Sequence, residues 1–311
     1  MKKSFPGYYE YSEEDKKNIW KKGIFVFDSC VLLNIYYLSS QINTFLDILR
    51  VLKKQIKTPY QVALEYHNNM FSKIDTQYQT YQRVNEIVNT LTNEIQKIPD
   101  KLCFTKDEKI KISNDLQSIH KKIQSISDNN YYSTVRDQIA SLLEHTIESS
   151  IADNVITQWE KEGEKRYQNH LPPGYKDKNK SNGNKYGDFF IWKSMLEISQ
   201  RDKKPVIFVT EDKKNDWFYQ CKHAHPFLLN EFILTTQQHV LIYSLSDFIK
   251  DYGIYREKST KSDKIEELQD IISANAKTIE MTDTQDDNSC AGEDLRDGTK
   301  NAEQTENENS K

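Results

Sequence analysis

Three short apolar stretches, far apart along the chain, constrain its fold more than any other feature. They are residues 23–27 (GIFVF), 205–209 (PVIFV) and 240–245 (VLIYSL), and each has the length of a buried strand. Segments with helical periodicity separate them, as crossover helices separate the strands of a parallel sheet. The sequence therefore predicts an α/β fold with a central, mostly parallel sheet.

Acidic residues directly follow two of these predicted strands. Asp28 comes after the first, and Glu211, Asp212 and Asp216 follow the second within seven residues. In open α/β sheets, ligands bind at the carboxyl ends of parallel strands, so Asp28 and Asp212 predict a shared site. A polar surface loop is the alternative explanation for the acids after the second strand.

Two further acids have ordinary structural explanations when each is taken alone. Asp188 stands where helix 189–200 begins, so an N-cap would account for it. Glu65 lies in the second turn of a helix that starts at Thr58-Pro59, and periodicity alone favours a solvated helix face. Four carboxylates converging on one site would repel each other unless a cation neutralised them. Oxygen ligands suit Mg²⁺, which would indicate phosphate chemistry.

The sequence argues against several other kinds of site and location. Its four cysteines form no CxxC pair and no zinc-spaced cluster, which predicts a reducing compartment without structural zinc. His223 and His225 form a close pair, for which a surface loop is the favoured interpretation. Nucleotide-cradle motifs such as GxGxxG are absent. No apolar stretch is long enough for a membrane span or a signal-peptide core, so we expect a cytoplasmic protein.

A block of helical periodicity occupies residues 72–165. Apolar residues recur at steps of three and four over 78–98, 116–126 and 135–159. Long amphipathic helices must bury their apolar faces against each other or against a partner. We therefore expect an inserted helical hairpin or bundle beside the sheet, and homo-oligomer formation through it is a further expectation.

Charge and composition change near residue 257. Residues 257–311 carry 7 Lys or Arg and 15 Asp or Glu, which leaves 36 basic and 32 acidic residues in 1–256. The body is mildly basic and tolerates a polyanionic partner. The acidic segment 257–311 lacks aromatic residues, which predicts a disordered tail with one helical stretch near 263–273.

Four segments, in this order, resemble the motifs of PIN-like nuclease domains. They are GIFVFDSCVLLNIYYLS, TPYQVALEYHNNMF, KYGDFFIWKSMLEIS and FVTEDKKNDWF. The segment LPPGYKDK, upstream of the third motif, is similar to the large bacterial PIN-like subfamily with a helical insertion. The resemblance implies a three-layer PIN-like domain over 8–256, with the helices of 72–165 inserted into it.

The resemblance also implies roles for individual residues. The family's metal-binding and catalytic acids fall on Asp28, Glu65, Asp188 and Asp212, with Asp216 as an auxiliary metal ligand. The residues expected to contact substrate are Ser29, Tyr175, Lys176 and Thr210. Cys30 is a departure, because the family usually has Asn there and a thiol hydrogen-bonds poorly.

The function implied by the resemblance is a Mg²⁺- or Mn²⁺-dependent endonuclease, most often acting on RNA. Two alternatives stay open: a catalytically weak module that binds nucleic acid or protein, and a nuclease directed at DNA. Backbone contacts carry no base information, so the sequence does not separate RNA from DNA. A toxin, a phage-defence effector and an RNA-processing enzyme would all share these motifs.

Overall fold

The structure is a computed structural model of the chain. It describes residues 1–38, 41–100, 102–126, 129–177, 185–212, 214, 216–219, 223–256 and 262–283. Residues Met1–Ile272 form one compact unit and Ser273–Lys311 a second, of which the structure describes part of one helix. Residues 178–184, which begin with the last residue of the segment LPPGYKDK, lie outside the described residues.

The described residues form five strands and eleven α-helices. The strands are β1 (Ile24–Phe27), β2 (Val206–Val209), β3 (Phe218–Tyr219), β4 (His223–Ala224) and β5 (Val240–Tyr243). The helices before β2 are α1 (Glu13–Lys22), α2 (Ser29–Asn34), α3 (Ile42–Leu52), α4 (Tyr60–Lys97), α5 (Lys106–Ile126), α6 (Asn129–Leu143), α7 (Asp153–Gln168) and α8 (Gly187–Asp202). Those after it are α9 (Pro226–Thr236), α10 (Leu245–Arg256) and α11 (Ser262–Asp283).

The central sheet contains the three predicted strands, all parallel, in the order β1–β2–β5. Phe27 pairs with Val209, which pairs in turn with Tyr243, so the three strands end at the same edge. Every residue of β1 and β2 is buried. Successive strand side chains point to opposite faces, so helices must cover both faces of the sheet. The predicted α/β fold with three layers is confirmed.

The inserted region is helical, as predicted. Its first helix, α4, begins at Tyr60, within the domain into which the region is inserted. Helix α4 runs unbroken over 38 residues, which is roughly 57 Å at 1.5 Å per residue. Its distal half packs along α5, while Ile139 and Leu143 of α6 join the main hydrophobic core. Val84, Ile87 and other apolar side chains of α4 and α5 are exposed, and self-association through them stays a prediction.

The third helix predicted in this block, over 135–159, differs from the structure. Helix α6 ends at Leu143, and α7 begins only at Asp153. Between them, the Thr58 amide donates to Thr146 O at 2.8 Å, and the Glu148 amide donates to Thr58 O at 2.9 Å. Extended pairing with Thr58 uses backbone groups that a continuous helix would need, so the helix is interrupted there.

The C-terminal segment is more ordered than the predicted tail. The predicted helical stretch near 263–273 lies within α11, and Ile265, Leu268 and Ile272 of that helix belong to the main core. The compact unit therefore reaches Ile272 and does not end at 256. Residues 284–311 of the predicted tail lie outside the described residues.

Two smaller predictions also have an outcome in the fold. His223 and His225 are not in a plain surface loop, because His223 lies in β4 and the ring of His225 accepts a hydrogen bond from the Phe227 amide at the start of α9. No helix of the described chain combines the length and the apolar composition needed to cross a membrane.

Candidate functional site

Asp28 lies at the carboxyl end of β1, where it caps helix α2. Its amide continues the sheet by donating to Val209 O at 2.9 Å, and its Oδ1 accepts from the Ser29 amide at 2.6 Å. The other carboxylate oxygen accepts from the Thr210 hydroxyl at 2.7 Å. The residue is only 5 % exposed. Asp28 is therefore held rigidly between two neighbouring strand ends.

Cys30 hydrogen-bonds to both strand ends, although a thiol was expected to do so poorly. Its thiol lies 3.2 Å from Asp28 Oδ2 as a donor, and its sulfur accepts from the Glu211 amide at 3.3 Å. One side chain thus donates to the first acid and accepts from the second strand end, which an Asn amide would also do. The substitution keeps the hydrogen-bonding pattern, with weaker sulfur partners.

Glu65 faces the site and is not on a solvated helix face. Its Oε2 accepts from the Ser29 hydroxyl at 3.0 Å, and its Oε1 accepts from the side-chain amide of Gln61 (Nε2) at 2.8 Å. The same Ser29 hydroxyl lies 3.3 Å from Asp28 Oδ1. Ser29 is buried, so it bridges two acids, and this position differs from the contact with substrate that the resemblance implied.

Asp188 lies in the first turn of α8 but is not its N-cap. The cap position is Tyr186, without any side-chain cap bond, and the helix begins at Gly187. Asp188 Oδ2 is buried and finds no hydrogen-bond partner in the described part of the chain. The capping explanation therefore fails for this residue, although the helix N-terminus still favours a negative charge.

Asp212 follows β2 and is held by Lys214. Its Oδ1 accepts from the Lys214 amide at 3.0 Å, and its Oδ2 pairs with the Lys214 ammonium at 2.9 Å. The same ammonium lies 2.9 Å from Asp177 Oδ1. A basic side chain therefore stands among the acids at this edge of the sheet.

Thr210 connects this second strand end to the first. Its hydroxyl donates to Asp28 and accepts from the Asp212 amide at 3.0 Å. The residue is fully buried, and the contact with substrate that the resemblance implied stays a prediction. Its role in this structure is to position the two acids.

Asp216 is buried and held by the turn that precedes the third motif. Its Oδ2 accepts from the Gly174 amide at 2.9 Å, whereas Oδ1 finds no partner among the described residues. Gly174 has a φ of +86°, and a Cβ there would overlap the Tyr167 hydroxyl and stand 3.2 Å from Asp188 Cβ. Only glycine suits this close approach of the turn to the acids.

Arg166 fixes the same turn from behind. Its guanidinium donates to Pro172 O and forms a bidentate pair with Glu231, and Glu231 also accepts from the Trp192 indole at 2.9 Å. The guanidinium stands 5.2 Å from the ring centroid of Phe189. Bidentate pairing and ring stacking give the Arg166 side chain, and with it the turn, a single well-defined position.

Tyr175 and Lys176 lie on the outer side of this turn. Tyr175 is half-buried, with its ring 5.7 Å from the ring of His170. Lys176 is exposed, and its ammonium lies 5.7 Å from the centroid of the Tyr175 ring. Both remain available to a ligand that approaches from solvent.

The acids act on one another electrostatically. Burial raises the pKa of Asp28, and the charge of Glu65 adds to this, although the Thr210 hydroxyl favours the ionised form. Burial also raises the pKa of Asp188 well above 3.8, with further contributions from the charges of Asp212 and Asp28. The charges of these two acids outweigh that of Lys214, which favours the ionised form of Asp188.

The donor set fits a hard divalent cation. All candidate ligands are carboxylate oxygens, and Asp188 Oδ2 and Asp216 Oδ1 are buried without partners in the described chain. As the side chains stand, no three His, Cys, Asp or Glu groups among the described residues are close enough together to hold one ion directly. Binding therefore requires side-chain rotation or bridging water, which Mg²⁺ readily keeps.

Several contributors were missed by sequence reasoning. Asp177, Lys214 and Tyr167 line the site, and the first two stand inside the quoted segments LPPGYKDK and FVTEDKKNDWF. The sequence signal for Lys214 was its position between two aspartates, Asp212 and Asp216. Glu211, by contrast, accepts from the Leu245 amide at 2.7 Å and so caps α10. It is a structural acid.

Comparison with known proteins supplies a family but no individual relative. No curated protein and no solved structure matches the chain significantly. A family model described as a PIN-like domain matches residues 24–231, which contain all five candidate acids. The match covers about two thirds of the chain, so this chain belongs to the PIN-like domain family.

Proposed function

We propose that this protein is a metal-dependent endonuclease that hydrolyses phosphodiester bonds, with RNA as the favoured substrate. The observation that carries the proposal is the buried Asp188 Oδ2, which has no partner among the described residues and lies in the field of Asp28 and Asp212. A buried carboxylate oxygen without a partner is costly unless a proton or a cation neutralises it. Membership of the PIN-like family makes a metal cation the favoured explanation.

In this proposal, the chain's own residues hold and orient the reactants. Asp28, Asp188 and Asp212 are the ligands of Mg²⁺ or Mn²⁺, and Asp216 holds a second ion or a water. Glu65, steadied by Ser29 and Gln61, ligates the ion or orients the attacking water. The bound ion would supply charge stabilisation for the phosphate and lower the pKa of water.

The substrate in this proposal meets Lys176 and Tyr175 on the exposed side of the turn. An exposed ammonium suits a phosphate, and the accessible part of the half-buried Tyr175 ring suits stacking of an unpaired base. Neither contact reads sequence, so the proposal is for a nuclease that accepts many sequences.

The experiment that tests this function is incubation of the purified protein with labelled RNA, single-stranded DNA and duplex DNA. Each substrate is offered with Mg²⁺, Mn²⁺ or EDTA. We expect cleavage of RNA that depends on metal and is lost in Asp28→Asn, Asp188→Asn and Asp212→Asn. If the protein cleaved only DNA, DNA would replace RNA as the proposed substrate. Equal cleavage in EDTA would refute the metal mechanism.

A second candidate is a catalytically weak module that binds nucleic acid or protein. It is favoured by one observation, namely that no three acids of the described chain are already arranged around an ion position. Thermal unfolding with and without Mn²⁺ discriminates between the two. A functional acid cluster is stabilised by the ion through mass action, whereas a degenerate one is not.

A further inference from the structure

Lys214, among the described residues, brings a basic side chain into the acidic edge of the sheet. Its ammonium lies 2.9 Å from Asp177 Oδ1 and 2.9 Å from Asp212 Oδ2. Its amide also donates to Asp212 Oδ1 at 3.0 Å. One residue thus engages both oxygens of Asp212 and bridges it to a second acid.

The partner of Lys214 on the other side is held in place by the turn before the third motif. Asp177 is 8 % exposed, and its amide donates to Gly174 O at 3.0 Å. Gly174 in turn donates to Asp216. The ammonium therefore has one buried partner in a fixed position, although the Lys214 side chain itself is 36 % exposed.

The charge of the opposite side of the cluster is not balanced in this way. Asp28 is held by neutral donors, the Ser29 amide and the Thr210 hydroxyl. Asp188 Oδ2 has no partner among the described residues. Among the described residues, Lys214 contacts Asp177 and Asp212 directly and acts on Asp188 through its charge alone.

We propose that Lys214 is the resident counterion of the Asp177–Asp212 side, so that the cluster takes up a single divalent cation, on the Asp28–Asp188 side. This inference deepens the proposed function and rests on it. Lys214 is a positioning residue here. It holds Asp212 in a fixed orientation and occupies the space in which a second ion would bind.

The reason for a single ion is both steric and electrostatic. A second divalent ion between Asp177 and Asp212 would have to displace an ammonium that makes contacts of 2.9 Å to each. It would also meet the repulsion of that positive charge at close range. Each carboxylate oxygen retains a lone pair, so Asp212 still has the capacity to contribute to the one ion.

The test is calorimetric titration of Mn²⁺ into the metal-free, full-length protein, which requires no cleavage assay. We expect one ion per wild-type chain. Lys214→Met removes the ammonium and leaves two carboxylates uncompensated, so we expect the stoichiometry to rise to two ions. In the double variant Asp177→Asn/Lys214→Met the extra negative charge is removed again, and we expect one ion.

Lys193→Met is the matched control. Lys193 is also partly buried and ion-paired, with Glu162 at 3.0 Å, but it takes no part in the acidic cluster. We expect one ion in this variant. If Lys214→Met does not fold, Lys214→Gln serves in its place, because Gln retains an N–H donor for Asp177 without the charge.

The possible failures are distinguishable. Two ions in the wild type, or one ion with unchanged affinity in the charge-removing variants of Lys214, would overturn the inference and leave the proposed nuclease intact. Absence of any Mn²⁺ binding by the wild type would refute the proposed metal site and, with it, the inference.

Discussion

The Thr210 hydroxyl donates to Asp28 Oδ2 at 2.7 Å, across the ends of two neighbouring parallel strands. The same hydroxyl accepts from the Asp212 amide at 3.0 Å. One buried oxygen therefore sets the separation of the acid after β1 from the acid after β2. Since both contacts are internal, the geometry of the site depends on a residue that is fully buried.

Thr210→Val is expected to destabilise the protein and to misplace Asp28 and Asp212. The substitution keeps the shape of the side chain but leaves buried polar partners unsatisfied, which costs about 1–3 kcal/mol of unfolding free energy. Urea unfolding of the metal-free protein measures this cost. Mn²⁺ binding should weaken in the same variant, because two proposed ligands lose their common support.

Thr210→Ser is the control, since it retains the hydroxyl and removes only a methyl group. It should keep most of the Mn²⁺ affinity, whereas Thr210→Val should not. If the two variants bound Mn²⁺ equally well, the hydroxyl would have no part in arranging the site.

Asp188→Asn is expected to stabilise the metal-free protein at neutral pH while abolishing cleavage. Burial and the charges of Asp212 and Asp28 raise the pKa of Asp188 well above 3.8. The native carboxyl therefore binds its proton more tightly than the unfolded one, so stability falls as pH rises from about 4 through the raised pKa. Asn carries no ionisable group, so the variant does not lose stability in this way as the pH rises.

The pH dependence of the difference is the diagnostic measurement. Near pH 3, Asp188 is protonated in both states, and the gain from Asn should vanish; the gain should increase as the pH is raised towards 7. Thermal unfolding of both proteins in EDTA across this range tests the sign. A wild type that is more stable than Asp188→Asn at pH 7 would mean that the carboxylate has a partner such as a tightly held cation.

The sheet and the acids after its strands were predictable because each depends on local pattern. Short apolar stretches such as 205–209 predict strands, and the parallel arrangement then brings Asp28 and Asp212 to one edge. Glu65 and Asp188 required the family resemblance, because helix periodicity and capping explain such residues equally well. The structure separates these alternatives by showing Ser29 against Glu65 and Tyr186 at the cap.

The contacts between distant segments were not predictable from one sequence. The ion pair of Lys214 with Asp177 joins residues 37 positions apart. The hydrogen bond of Thr58 to Thr146 breaks a helix whose own periodicity favours continuation. In both cases a tertiary contact decides the outcome, and local propensity carries no information about it.

Deletion of 261–311 is expected to destabilise the domain, although composition alone suggests a dispensable tail. The deletion removes Ile265, Leu268 and Ile272, which are at most 4 % exposed. Burial of each such side chain contributes roughly 1.5–3 kcal/mol, which together is comparable with the total stability of a domain. Deletion of 284–311 spares them and should leave the melting temperature unchanged. Equal melting temperatures for the two truncated proteins would show that α11 adds nothing to the core.

Lys176→Ala is expected to weaken RNA binding to a similar degree for all sequences. Lys176 is exposed beside Tyr175, on the outer side of a turn whose inner side holds Asp216 through Gly174. Loss of one phosphate contact lowers the salt dependence of binding by about 0.7–0.9 in the logarithmic slope. Fluorescence anisotropy with labelled RNA from 50 to 200 mM salt, in the presence of Ca²⁺ or with the inactive Asp28→Asn variant, measures the slope. Lys22→Ala is the control, because Lys22 is also exposed but lies beside the amino end of β1, away from the acids. An unchanged slope in Lys176→Ala, equal to that of Lys22→Ala, would exclude this turn from the substrate surface.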